Sequence, residues 1–336
     1  MVKFQMADEQ IKDMLLPIFI GQDIKGKHIY KDFSKAIHLL ISGSSGAGKS
    51  VFINALIASL LHTKTPLQFC MIDPKRVELT PFKDLGKDWF FKNQLPITDI
   101  TEATQALNDL CEEMDRRFLL LQKLNVRNIK EANIKGYDIP YIICIIDEYA
   151  DLMLRNREQV EYNVIRMAQL ARAVGIHLVL SSQRPSSDVI TGLIKANFQS
   201  RVAFRTASRL DSRIILDRTG AELLRGNGDM IWQNGTDAEN IQGCFISDEE
   251  LNTIIQSKKK IATKSNIEFD ELTIASAKLF YEFGVNASII QRKLKLGWNK
   301  TDRIINTLIE ADVITPYENN KSELMMSYTQ FLQLVK

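Results

Sequence analysis

The 336-residue sequence predicts an α/β fold with a parallel sheet, followed by a small helical domain. Three observations point there. Strand-length apolar runs alternate with helical patterns from about residue 36 to 250, as expected for strands buried on both faces. A glycine-rich octapeptide lies between the first such strand and the first such helix. The composition then turns polar and basic over 257–266, as in a linker, and a segment with three helical patterns follows.

Residues 17–33 alternate and turn at Lys25-Gly26, which predicts a hairpin ahead of the core. Residues 36–42, 68–73, 141–147, 177–183 and 201–206 read as strands. Residues 49–62, 101–124 and 158–173 read as helices; in the second, Leu107, Leu110, Met114, Phe118 and Leu121 recur at three- and four-residue steps. Asn234-Gly235 marks a second hairpin within 228–247. The expected domains are a short N-terminal segment with its hairpin (1–35), an α/β domain (36–256), a linker (257–269) and a C-terminal domain (270–336).

The net charge is only +2, so the molecule as a whole is no basic nucleic-acid glue, and any DNA-binding face would have to come from local clusters. Cys70, Cys111, Cys144 and Cys244 form no CxxC pair and the four histidines are scattered, which argues for buried thiols and against zinc. The longest apolar run, about 139–146, is too short for a bilayer and contains Pro140. No signal-peptide pattern opens the chain. The expectation is a cytoplasmic protein with no membrane span of its own.

Gly43-Ser44-Ser45-Gly46-Ala47-Gly48-Lys49-Ser50 matches GxxxxGK[ST] in the strand–loop–helix context the motif requires. Its glycines let backbone N–H groups turn toward phosphate oxygens, and the helix N-terminus adds partial positive charge. Lys49 then reaches the β- and γ-phosphates of ATP, and the Ser50 hydroxyl ligates Mg²⁺. A buried strand ends in Asp147-Glu148: Asp147 is expected to hold the Mg²⁺ shell, and Glu148 to act as base or orienter for the attacking water. Adjacent acids favour hydrolysis over phosphoryl transfer to a small molecule. Gln183 ends the next strand; residue chemistry leaves it either a γ-phosphate sensor or a plain polar strand end.

Several ordered runs carry a resemblance. Met71-Ile-Asp-Pro-Lys75, Asp147-Glu-Tyr-Ala-Asp-Leu152, Ala171-Arg-Ala-Val-Gly-Ile-His177, Ser182-Gln-Arg-Pro-Ser186, residues 188–197, Leu210-Asp-Ser-Arg213 and Gly226-Asn-Gly-Asp-Met230 resemble the FtsK/SpoIIIE family of double-stranded DNA translocases in order and spacing. The likeness covers roughly 17–250 and continues into the C-terminal segment, which is similar to that family's DNA-reading γ domain. The resemblance implies a RecA-like P-loop ATPase, a homo-hexameric ring with duplex DNA in its pore, and ATP sites between subunits. It implies that Arg172 is an arginine finger acting on a neighbour's nucleotide, that Gln183 is the polar sensor, and that Arg184, Lys195, Arg209 and Arg213 face DNA. Chemistry alone leaves Arg172 a helix-end cation. Arg184 to Arg213 carries six Lys/Arg against two acids, a basic stripe of the kind that grips phosphate without sequence preference, or else a solvated surface. The membrane spans and long linker of the family's cell-division members are not found in this sequence, and about 16 residues precede the hairpin where those members have a fuller domain.

The C-terminal segment predicts a winged helix-turn-helix: a helix over 271–283 with Ala275, Leu279 and Phe283 on its inner face, a helix over 289–294 capped by Ser288, a turn at Gly297, a helix over 298–311 burying Ile304, Ile305, Leu308 and Ile309, and a wing over 313–325. Residues 292–303 carry five cations and one acid. Asn299, Lys300 and Arg303 fall near the N-terminus of the candidate recognition helix, where side chains reach base edges. A protein–protein module is the competing reading. For the whole chain an ATP-driven duplex DNA translocase competes with a coupling ATPase of conjugation or mobile-element transfer, and with an ATP-dependent switch that does not hydrolyse.

Overall fold

The computed structural model describes residues 2–265, 269–311, 313–315, 324–328 and 331, with the side chains of 260–265, Asn299 and Glu310 outside the description. It divides into two compact units, 1–256 and 257–336.

The first unit is built on strands β1 (Val2–Lys3), β2 (Pro17–Asp23), β3 (His28–Asp32), β4 (Leu39–Ser42), β5 (Leu67–Ile72), β6 (Tyr141–Ile146), β7 (Ile176–Ser182), β8 (Ser200–Phe204), β9 (Asp229–Asn234) and β10 (Asp237–Phe245). Their order is β3-β2-β10-β9-β8-β4-β7-β6-β5, with β1 added alongside β10. The segment β8-β4-β7-β6-β5 is parallel. Its members β4, β6, β7 and β8 are buried at every position, which is why they read as continuous apolar runs rather than alternating ones. Helices α1 (Asp8–Ile11), α2 (Phe33–Ala36), α3 (Lys49–Leu61), α4 (Ile100–Lys123), α5 (Ile129–Ile134), α6 (Tyr149–Leu170), α7 (Gly192–Asn197) and α8 (Arg209–Leu216) fill the connections. Helix α3 is buried on nearly all sides among β2, β10 and the sheet; α4 and α6 pack together on the other face.

Two sequence boundaries shift. The hairpin β2–β3 is no separate N-terminal piece: β2 pairs with β10, so residues 17–32 extend the central sheet. Gly21 makes this possible, since a Cβ there would sit 2.1 Å from the Gln242 carbonyl oxygen. The expected linker is helical over most of its length, because α9 runs Asp248–Ser265. Ser247 and Glu250 cap its start reciprocally, acids fill its first turn, and lysine and alanine extend it well. Helix α6 starts at Tyr149, directly after Glu148 and nine residues before the sequence predicts, with an irregular turn at Asn156.

The second unit contains α10 (Glu271–Phe283), α11 (Ala287–Leu294) and α12 (Trp298–Glu310) around a core of Ala277, Phe280, Ile290, Ile304, Ile305, Leu308, Val313, Ile314 and Phe331. Helix α10 turns a different face inward than expected: Thr273, Ser276, Ala277 and Phe280 are buried, whereas Phe283 is half exposed beneath the Lys293 ammonium. Asn286, not Ser288, caps α11 by accepting the Ser288 N–H. Ile309 is only partly buried. Most of the expected wing lies outside the described residues; within them, Ile314 bridges Leu324.

Candidate nucleotide site and nucleic-acid interface

The C-terminal ends of β4, β6 and β7 converge, and each delivers part of a site. Beyond β4 the chain enters 43–50 with Gly46 and Gly48 at φ +73° and +118°, a backbone only glycine holds without strain. Gly48 is also a close approach: a Cβ there would lie 2.7 Å from the Gly228 nitrogen. The Gly228 N–H donates to the Ala47 carbonyl at 2.9 Å, so the 226–230 turn braces the phosphate loop from behind. On the other side, the Ser44 N–H donates to the Arg205 carbonyl.

The Lys49 ammonium is buried and donates to Asp147 Oδ1 at 2.6 Å and Ser181 Oγ at 2.7 Å. Ser181 donates to the same carboxylate oxygen. Asp147 Oδ2 is buried with no hydrogen-bond partner among the described residues. A buried carboxylate oxygen left this way is costly, and is the expected state of an atom whose partner arrives with a ligand. The Ser50 hydroxyl faces an acid as well, donating to Glu78 Oε1 at 2.5 Å. The oxygens of Ser50 and Asp147 therefore suit a hard cation such as Mg²⁺.

Glu148 has φ 64° and ψ 68°, a left-handed conformation uncommon for such a residue and frequent at functional positions. Its side chain has partners different from those of Asp147. Its carboxylate accepts from Lys75 Nζ at 2.8 Å, Ser182 Oγ at 2.9 Å and, at 3.4 Å, the Gln183 N–H. Burial pulls the Lys75 pKa down, but the hydrogen bond to Glu148 and the charges of Glu148, Asp151 and Asp147 outweigh it and hold the ammonium above its ordinary range. Burial, with Glu148 and Asp147 nearby, raises Asp151 despite Lys75.

Gln183 is half-buried and lines a cavity of about 430 Å³ with Ser44, Ser45, Arg184, Thr206 and Asp211. That cavity joins the phosphate loop to the starts of the segments expected to face DNA. Arg184, Arg209 and Arg213 are exposed; Lys195 is half-buried and donates to Asp217 at 2.6 Å. Arg209 lies 3.6 Å from Glu222. The stripe has one member fewer than its sequence suggests. Arg201 is buried and hydrogen-bonds Phe198 O, Ile215 O, Asp217 and Lys195 O, tying α7 to α8.

Arg172 is exposed on the α6–β7 connection, at the opposite end of the parallel strands. The seven-residue strand β7, which ends in Ser182, runs between it and the site, roughly 20 Å of extended chain. It does not meet its own phosphate loop. In the second unit, Lys300 and Arg303 are exposed at the start of α12, and their charges help hold Asp270 below its ordinary range, after the larger effect of its hydrogen bonds to Thr273. The side chain of Asn299 lies outside the described residues.

Sequence reasoning did not assign roles to Lys75, Glu78, Ser181 or Ser182. Position within the parallel strands was the available signal for the serines, because both close β7 beside the acids that close β6. Glu78 has no such signal, since it reaches Ser50 only through the turn of the loop that carries it.

Sheet order, phosphate loop and paired acids define the fold class of the P-loop ATPases. Residues 3–138 and 132–187 match the FtsK/SpoIIIE family. The chain is 41% identical over 341 residues to the DNA translocase FtsK of Borreliella burgdorferi, covering 92% of this chain and 43% of that protein. It is 39% identical over 364 residues to the DNA translocase FtsK of Haemophilus influenzae, covering 92% of this chain and 68% of that protein. The chain belongs to the FtsK/SpoIIIE family. Of the Borreliella relative, and of a Chlorobaculum tepidum DNA translocase FtsK of which 44% is covered, it spans less than half the length. Among solved structures it is similar to the pCW3 conjugation coupling protein TcpA in a monomer form with ATPγS, at 29% identity and a TM-score of 0.66 over 76% of this chain and 74% of that one. No helix among the described residues is long and apolar enough to cross a membrane.

Proposed function

We propose that this chain hydrolyses ATP to move double-stranded DNA. The observation that supports this most is the paired array at the strand ends: Lys49 with Asp147 and Ser181, and Glu148 with Lys75 and Ser182, beside a cavity that leads to Arg184. The phosphate loop binds the triphosphate, and Lys49 exchanges Asp147 for phosphate oxygens. Ser50 and Asp147 would hold Mg²⁺, which would supply positive charge to neutralise that developing on the phosphates. Glu148 leaves Lys75 and takes a proton from the attacking water. Gln183 senses the γ-phosphate and passes its presence to Arg184 through the short connection after β7.

Arg172 serves the site of a neighbouring subunit, since its own lies at the far end of the strands. A closed ring, with six copies as the family resemblance implies, supplies such neighbours to every site. Arg184, Lys195, Arg209 and Arg213 grip the duplex through its phosphates. Residues 270–336 act as a winged-helix reader with Asn299, Lys300 and Arg303 toward base edges. A coupling ATPase in a DNA-transfer system is the second reading, favoured by the likeness to the conjugation coupling protein. The test is displacement of a third strand from linear duplex DNA. Displacement that needs ATP and stops in Glu148→Gln is expected; ATP hydrolysis without displacement would sink the motor reading.

A further inference from the structure

A serine hydroxyl that ligates a cation does so through an oxygen lone pair, and its proton has to go to another acceptor. That acceptor is Glu78, to which Ser50 donates at 2.5 Å, while Asp147 Oδ1 accepts from Lys49 and Ser181. That distance is at the short end of O–H···O hydrogen bonds. Both residues are only half-buried, so water would satisfy the hydroxyl, and polar satisfaction alone does not require the pair.

The loop carrying Glu78 is closed on itself. The buried Asp73 accepts the Leu79 N–H at 2.9 Å, and its own carbonyl accepts from Arg76, which is left-handed at φ 61°. The same loop sends Lys75 to Glu148. One short turn after β5 therefore touches the hydroxyl of the phosphate loop and the carboxylate of the proposed base.

We propose that Glu78 is a positioning residue of the metal shell: it accepts the hydrogen bond of the Ser50 hydroxyl and so turns the Ser50 lone pairs toward a divalent cation arriving with the nucleotide. This rests on the nucleotide-site reading above. A carboxylate here also adds negative charge beside the cation without ligating it, as outer-shell partners of metal ligands do.

The experiment is calorimetric binding of ATPγS to the full chain with Mg²⁺ and in EDTA, for wild type, Glu78→Ala and Glu78→Gln. Wild type is expected to bind more tightly with Mg²⁺. Glu78→Ala is expected to lose about tenfold of that gain while its affinity in EDTA stays within about twofold, and Glu78→Gln, which keeps a neutral acceptor, to fall between. A gain unchanged in both variants, or an affinity lost equally with and without metal, overturns the assignment of Glu78 alone. A wild-type chain indifferent to Mg²⁺ overturns the metal shell and this assignment together. Where Glu78→Ala does not fold, the nearly isosteric Glu78→Gln carries the test.

Discussion

The two ends of the parallel sheet handle buried polarity in opposite ways. At the C-terminal ends of the strands, buried Lys49, Asp147 and Glu148 are joined in ion pairs, Lys49 with Asp147 and Glu148 with Lys75. At the N-terminal ends, His38 and His177 are buried beside Phe33, Tyr141 and Phe198 and kept neutral. Burial, with the neighbouring imidazole adding, pushes His38 down to about 3; burial lowers His177 to about 4 against the opposing bond to Ile37 O. One end keeps charge available for a ligand to rearrange. The other removes charge and uses each ring as a fixed strut, His177 on the Ile37 carbonyl and His38 accepting the Leu178 N–H.

The sharpest way to break this contrast is at the charged end. Glu148→Gln is expected to lower DNA-stimulated ATP hydrolysis by two orders of magnitude or more while leaving ATP bound. Lys49→Ala is expected to lose both hydrolysis and binding. It should also destabilise the nucleotide-free chain by about 3 kcal/mol, because Asp147 is then buried with no cation. Turnover, nucleotide binding and urea unfolding of the two variants separate these outcomes. Glu148→Gln turning over at the wild-type rate would reject its role.

Arg172 lies at the neutral end yet is assigned to the chemistry of the charged one, which only a second subunit reconciles. Arg172→Ala alone is expected to cost on the order of a hundredfold or more in turnover. Mixed with Lys49→Ala, it should recover part of the activity, because a mixed interface can join an intact Lys49 to an intact Arg172. No recovery in demonstrably mixed assemblies counts against action between subunits.

The charged end was the more legible in sequence. A phosphate loop needs its glycines and its Lys-Ser in a fixed local order, and acids at a strand end need only the strand, so Lys49, Ser50, Asp147 and Glu148 could be read directly. Parallel register then brought Ser181 and Ser182 to them, which no local pattern announces. Arg201 shows the same gap from the other side: as one of six cations it looked like part of a DNA-facing stripe, and only the packing of α7 on α8 reveals a buried clamp. The helix that enters residues 257–265 was not legible, because polar, basic composition describes solvent exposure, which an exposed helix shares with a coil. The hairpin went unassigned to the motor because its partner strand β10 lies more than 200 residues away in the chain.

The neutral end makes a smaller prediction with a definite sign. The folded pKa values of both histidines lie below the ordinary 6.5, so the unfolded chain binds protons first as pH falls. Stability is therefore complete above about pH 6.5 and declines as pH drops toward 4, by on the order of 1–2 kcal/mol per histidine by pH 5. Urea unfolding at pH 7.5, 6 and 5 should show the decline, and His177→Gln should flatten it even where it lowers stability overall. An equal slope in wild type and variant would mean that the ring is not buried neutral.

The smallest expected effects concern DNA, and they extend the contrast between committed and available charge to the segments beyond β7 and β8. Lys195 is held by Asp217, whereas Arg213 is exposed and no side-chain partner is seen for it among the described residues. Arg213→Ala should therefore reduce duplex affinity across all sequences and lower the slope of log affinity against log salt by about one. Lys195→Ala should do less, since its ammonium gives up a carboxylate to reach a phosphate. Asp217→Asn is expected to raise affinity, provided Arg201 keeps its three carbonyl partners. Replacing Lys300 and Arg303 should instead change which sequences are preferred and leave binding to random duplex nearly intact, because both are exposed on α12, away from its apolar face. Each variant is compared on a random-sequence duplex pool, sequenced before and after selection, at two salt concentrations. If Lys195→Ala and Arg213→Ala prove equal, the ion pair with Asp217 does not mask Lys195. If the Lys300 and Arg303 variant enriches the same sequences as wild type, α12 is not the reader.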